Sequence, residues 1–128
     1  MTSSSSSARA GHPYHMHDAI YAQPGALRLL GRGNAGALEA AATRLRGCHR
    51  LILAGVGSSW HAAQAAERLF ATAGAFGHRA RVHNAFELAY AWPLLDAETG
   101  LILVSHRATN RATHAALARA KIAGAPTV

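Results

Sequence analysis

What this chain has little of narrows it first. Cysteine occurs once, at Cys48, so no disulfide can close within the chain, and a reducing compartment, the cytoplasm, is the expected setting. Lysine also occurs once, at Lys121, against twelve arginines, and with only six acidic residues the formal net charge is +7. Aromatic residues make up 6% of the chain and do not alternate with basic ones, which removes the base-stacking platforms of a nucleic-acid binder. The arginines are spread out, densest at Arg44, Arg46 and Arg50, at Arg79 and Arg81, and at Arg107 and Arg111, with no basic tail. That distribution argues against nucleic acid as a partner, while a mildly positive field suits phosphorylated metabolites. No apolar run approaches the roughly 20 residues of a membrane-spanning helix, so no membrane partner is expected. The opening Met1-Thr2-Ser3 to Arg9 lacks the apolar stretch of a signal peptide. Residues 1–11 read as a disordered Ser-rich leader, and residues 12–128 as one domain.

Histidine is plentiful, with nine in the chain, and His12, His15 and His17 cluster. Their spacing places no two at i, i+4 on a helix, and no carboxylate or cysteine set completes a site, so no metal and no cofactor are expected. His61 beside Ser59 lacks the third orienting group and the nucleophile elbow of a hydrolase. His114 reads as a surface residue of the last helix.

What is present is an alternation of apolar runs and alanine-rich segments, and it predicts parallel α/β architecture. The segment His12–Arg32 reads as two short helices, the second opened by Pro24 at a position where its missing N–H matters little. Ala37–Arg46 is a helix, with Leu38, Ala41, Ala42 and Leu45 at helical spacing. His49–Ala54 is apolar on both faces, as a buried parallel strand should be. A helix from Trp60 to Ala73, a short strand over Arg79–His83 and one or two helical turns over Ala85–Tyr90 follow, the last stopped by Trp92-Pro93. Leu101–Val104 is the third strand, and a helix runs from Thr109 to Ala123. Thr127-Val128 reads as the start of another strand, so the chain is expected to be a fragment, incomplete at its C-terminus.

In an open parallel sheet, ligands sit beyond the carboxyl ends of the strands. Two polar loops leave such ends: Gly55-Val56-Gly57-Ser58-Ser59 and Ser105-His106-Arg107-Ala108-Thr109-Asn110. The first offers loop amides, hydroxyls and a helix N-terminus to an anion, or else a tight turn in which Ser58 or Ser59 only caps the helix. The second adds Arg107, which can grip a phosphate in a bidentate way, and His106 as a further donor. The first loop is no dinucleotide fingerprint, since Trp60 stands where a third glycine belongs, and no Walker lysine exists.

Gly57-Ser58-Ser59 after a buried strand resembles the Gly-Thr-Ser loop of sugar isomerase (SIS) domains, and Ser105 to Asn110 stands where that family carries Ser-Gln-Ser-Gly-Glu-Thr. Tyr14 to Pro24 is similar to the His-Tyr-Met-x-Lys-Glu-Ile-x-Glu-Gln-Pro segment that opens the isomerase domain of glucosamine-6-phosphate synthases. Phe86 to Tyr90 resembles their Ser-Glu-Phe-Arg-Tyr, and Ala116 to Thr127 their following helix and strand. The resemblance implies a flavodoxin-like αβα three-layer sandwich with a parallel sheet that binds a phosphorylated sugar or amino-sugar. It also implies a homodimer or tandem SIS domains, in a sugar-phosphate isomerase or an amino-sugar-phosphate deaminase/isomerase; the alternative is a non-catalytic phosphosugar-sensing module. Carried over by position, Gly57, Ser58, Ser59, Ser105, His106, Arg107, Thr109 and Asn110 are the expected phosphosugar ligands. His106, Arg107, Ala108, Thr109 and Asn110 all depart from the family residues, which points to altered specificity. The family's catalytic residues lie downstream of this stretch, and only the leader stands where a glutaminase domain would, so ammonia from glutamine is not expected. Glu87 alone among the carboxylates falls near the crevice, where it reads as a helix-packing or dipole residue.

Overall fold

The computed structural model describes residues 10–74, 76–91 and 95–128. The leader, apart from the exposed Ala10 and Gly11, and the Trp92-Pro93 stop fall outside the described residues. Two compact units divide between Glu39 and Ala40.

The first unit is dominated by α1, His15–Gly33, a single helix that runs through Pro24. This corrects the expectation of two helices. Proline removes one backbone donor, here the one that would reach the Ile20 carbonyl, but its fixed φ lies within the helical range. Its described side chains are exposed apart from the half-buried His17, so water can take the freed carbonyl. Asp18 sits in the first turn, where the helix dipole favours a carboxylate, and Asn34 Nδ2 donates to Leu30 O at 3.4 Å at the far end. Met16, Ile20, Leu27 and Leu30 remain more than half exposed. The His17 ring lies 4.6 Å from that of His12 and 4.5 Å from that of Tyr21.

Helix α2, Ala35–Leu45, leads into the second unit, where Leu45 is buried. Strand β1, Arg50–Gly55, is buried from Leu51 onward. It pairs in parallel with β2, Ala80–Asn84, from Leu51↔Ala80 to Gly55↔Asn84, and with β3, Thr99–Leu103, from Arg50↔Thr99 to Ala54↔Leu103. The order is β2-β1-β3, and Thr127 bridges Leu101 in parallel, so the terminal segment joins β3. Leu101 N–H donates to Pro126 O at 2.8 Å, and Leu103 N–H to Val128 O at 2.9 Å. This is a mixed α/β fold around a three-stranded parallel sheet, compatible with a flavodoxin-like layout.

Alternation along β1 builds a core on each face. Ile52 and Ala54, with Leu101, meet α4 (Ala85–Tyr90) and α5 (Arg111–Ile122) through Leu88 and the small Ala85, Ala89, Ala112, Ala116 and Ala120. The alanines recur at i, i+4 and i+8 on α5, so the helix backbone can approach the sheet closely. Leu51 and Leu53 pack on the other face with Ala80, Leu45, Cys48 and Ala63 of α3, Ser58–Ala73. Each fully buried leucine contributes about 1.5–3 kcal/mol over an exposed one. Burial pushes the Cys48 thiol up, which keeps it uncharged in this core. On the edge of β2 away from β1, Val82 N–H donates to Glu67 Oε1 of α3 at 3.2 Å, and Arg81 lies 3.9 Å from the same carboxylate.

The amino ends of β1 and β3 are tied by a polar cluster. Arg50 Nη2 donates to Asp96 Oδ2 at 2.6 Å and to Thr99 Oγ1 at 3.1 Å, while Thr99 Oγ1 donates to Asp96 Oδ1 at 2.6 Å. The Thr99 hydroxyl foremost, aided by the Arg50 charge and the Glu98 amide, holds the Asp96 carboxyl below the usual carboxylate range. A depressed pKa contributes stability that is present above the unfolded-state value and is lost as pH falls through the folded one. Thermal melts from neutral pH into the acid range should therefore show a smaller acid-induced loss for Asp96→Asn than for the parent chain.

Candidate functional site

The two polar loops leave neighbouring strands at the same edge. Pairing continues past the ends of the strands, Val104 N–H donating to Ala54 O at 2.8 Å, so the loops start side by side. In the observed order, β1 and β3 are the strands from which the chain winds in opposite directions, and the crevice between them is where open α/β sheets hold ligands. A cleft of about 230 Å³ opens there.

Two glycines shape the first loop for different reasons. A Cβ on Gly55 would lie 2.7 Å from the Ser59 carbonyl carbon, so only glycine lets α3 start this close to β1. Gly57 has φ 59° and is the N-cap of α3. The capping role considered for Ser58 or Ser59 is not observed, because both lie inside the first turn, one and two residues past the cap position. No side chain caps α3, and among the described residues no backbone carbonyl takes the N–H groups of Ser58 and Ser59. A helix of this length adds positive potential to those two amides.

The second loop is fixed by its own bonds. Ser105 Oγ accepts from Ala108 N–H at 3.1 Å. Ala108 takes φ 51°, the left-handed conformation that glycine adopts more cheaply, by roughly 1–2 kcal/mol for a residue with a Cβ. Its carbonyl is held by His114 Nε2, which reaches back from α5. Asn110 is the N-cap of α5, its Oδ1 accepting from Ala112 N–H at 2.9 Å and Thr113 N–H at 3.3 Å. Between these anchors stand His106 and Arg107, both exposed, and among the described residues neither side chain has a protein hydrogen-bond or ion-pair partner.

Seven of the eight residues expected at the site line the cleft: Ser58, Ser59, Ser105, His106, Arg107, Thr109 and Asn110. Gly57 does not line it and acts through the backbone turn. Asn110 and Ser105 each spend an acceptor on the loop itself, leaving the Asn110 amide N–H₂ and the Ser105 O–H as donors. Val56, Val104 and Thr113 also line the cleft: Val56 lies within the first loop, Val104 precedes the second, and Thr113 follows the Asn110 cap. His114 is exposed, as expected of a surface residue, and it also anchors the loop. His61 Nδ1 pairs with Gln64 Oε1 at 3.0 Å, and among the described residues no hydrogen bond joins it to Ser59. Glu87 is exposed on α4 and is not among the lining residues. Among the described residues no group of three or more His, Cys, Asp or Glu side chains is placed to hold a metal ion. The sequence matches no protein-family model and no curated protein.

Two substitutions separate the scaffold from the ligand-facing groups. Gly55→Ala forces backbone apart and should lower stability by about 3 kcal/mol, the upper end of overpacking costs, in urea unfolding. Asn110→Ala removes the cap and should cost about 1 kcal/mol in the same measurement, whereas Asn110→Asp, which keeps the acceptor, should restore most of it.

Proposed function

We propose that this chain is a phosphosugar-binding domain of the SIS type, with a flavodoxin-like sandwich that holds the phosphate of a sugar or amino-sugar in the cleft between β1 and β3. One observation carries the reading. The amide pair at the start of α3 and the His106 and Arg107 side chains, all without a partner among the described residues, belong to residues that line one cleft at the switch point of the sheet. All are donors, and a phosphate is an acceptor with several oxygens. The pinned second loop supports this, because the backbone that carries His106 and Arg107 need not be ordered on binding. The ordered segments that resemble SIS sequences, on both loops and in α1, narrow the anion to a sugar phosphate, and the same resemblance supports pairing with a second SIS domain.

Binding is better supported than catalysis. Aldose–ketose isomerisation or deamination needs a positioned base to move a proton between carbons. No carboxylate lines the cleft among the described residues, and His106 is the one imidazole there. An isomerase or deaminase/isomerase step would need groups from outside this cleft.

Calorimetric titration with inorganic phosphate, glucose 6-phosphate and glucosamine 6-phosphate tests the reading. Saturable binding is expected. Arg107→Ala, which removes a charged hydrogen bond of about 1.5–3 kcal/mol, should weaken it by about 10- to 100-fold. A folded sample that binds none of the three, or an Arg107→Ala variant that binds them unchanged, would refute it.

A further inference from the structure

We infer that the ligand of this cleft carries a ring, and that Phe86 and Tyr90 form the surface on which that ring lies. The inference rests on the phosphate-binding reading and extends it to the remainder of the ligand. Phe86 and Tyr90 are one turn apart on α4, with ring centroids 4.9 Å apart and planes inclined by 57°. They are 61% and 59% exposed, although this is a chain with few aromatic residues. The packing of α4 does not need them, since Ala85, Leu88 and Ala89 fill its buried face. With Arg111 and Ala112 they border an open hollow of about 610 Å³ whose wall includes Thr109 and Asn110. Those two residues also line the phosphate cleft, so the two spaces share the end of the β3–α5 loop.

Size and chemistry divide the ligand between the two spaces. The cleft is smaller than the roughly 300–1,000 Å³ of pockets that enclose whole drug-sized ligands, and its lining is mostly donors. It suits the anionic end of a molecule. The hollow is lined by two exposed aromatic residues and by Arg111. A pyranose ring has an apolar C–H face that can cover an aromatic surface, and edge hydroxyls that can accept from Arg111. An acyclic phosphate ester has neither a flat face nor a fixed array of hydroxyls. The pair therefore selects cyclic over open-chain phosphate esters.

The test uses the full chain and three probes: inorganic phosphate, glycerol 3-phosphate and glucosamine 6-phosphate. In the parent, glucosamine 6-phosphate should bind about tenfold more tightly than glycerol 3-phosphate, the scale of burying one ring face. The double variant Phe86→Ala, Tyr90→Ala should lose that preference while its affinity for inorganic phosphate stays unchanged. Phe86→Leu with Tyr90→Leu, which keeps apolar bulk on the helix, should lose most of it, and thermal melts of both variants should match the parent. Equal affinity of the parent for the two esters, or a preference that survives in both variants, would overturn the inference while leaving the phosphate site intact. Binding of none of the probes would overturn both. A fall in sedimentation coefficient in the double variant, without any ring preference in the parent, would assign the pair to a contact between copies of the chain and overturn the inference.

Discussion

Strand β1 hydrogen-bonds on both edges and buries both faces, and the second unit depends on that. Its alternation assigns Leu51 and Leu53 to one core and Ile52 and Ala54 to the other, so helices must cover both sides of the sheet. Its central place also sets the crevice. With β2 on one side and β3 on the other, the chain leaves β1 and β3 toward opposite flanks, and the space between the two exits has no backbone crossing it. Gly55 then lets α3 begin almost in contact with the strand, which brings the start of that helix to the edge of the opening.

The cleft separates two kinds of polar group that look alike in the chain. Ser105, Asn110 and His114 hold the β3–α5 loop in shape through its own backbone. Ser58, Ser59, His106 and Arg107 are left to whatever enters. A loop that spends acceptors of Ser105 and Asn110 internally and leaves donors outward is the arrangement on which the proposed anion binding rests, and Ala108 in a left-handed conformation is part of its cost.

Much of this could be read from the residues, and the failures have physical reasons. Continuous apolar runs at Leu51–Ala54 and Leu101–Val104, too short for core helices and bounded by turn residues, suit strands of a covered parallel sheet, so the sheet and its two edge loops were legible. Pro24 misled because a proline's lost hydrogen bond weighs heavily in isolation, whereas an exposed helix such as α1 can leave the freed carbonyl to water. Asn110 lines the cleft and also caps α5, as an asparagine just ahead of a helix commonly does; the two roles use the same side chain, and only geometry shows which atoms remain. The His114 anchor was not legible, since it depends on a left-handed turn at an alanine six residues earlier. The exposure of Phe86 and Tyr90 was likewise hidden, because a helix of so few turns does not declare which face the sheet will take.

The bond from Val82 to Glu67 has a consequence for how the sheet can grow. An unpaired strand edge is a template on which a foreign strand can add, and β2 stands at that position. Here one outward amide is already occupied by a carboxylate that also draws in Arg81, so an incoming strand would have to displace a charged group to pair at Val82. The opposite edge, beyond β3, is where the chain itself adds its terminal residues. Among the described residues the sheet is thus carried past β3 by the terminal segment, while the outer edge of β2 is partly covered by a charged side chain.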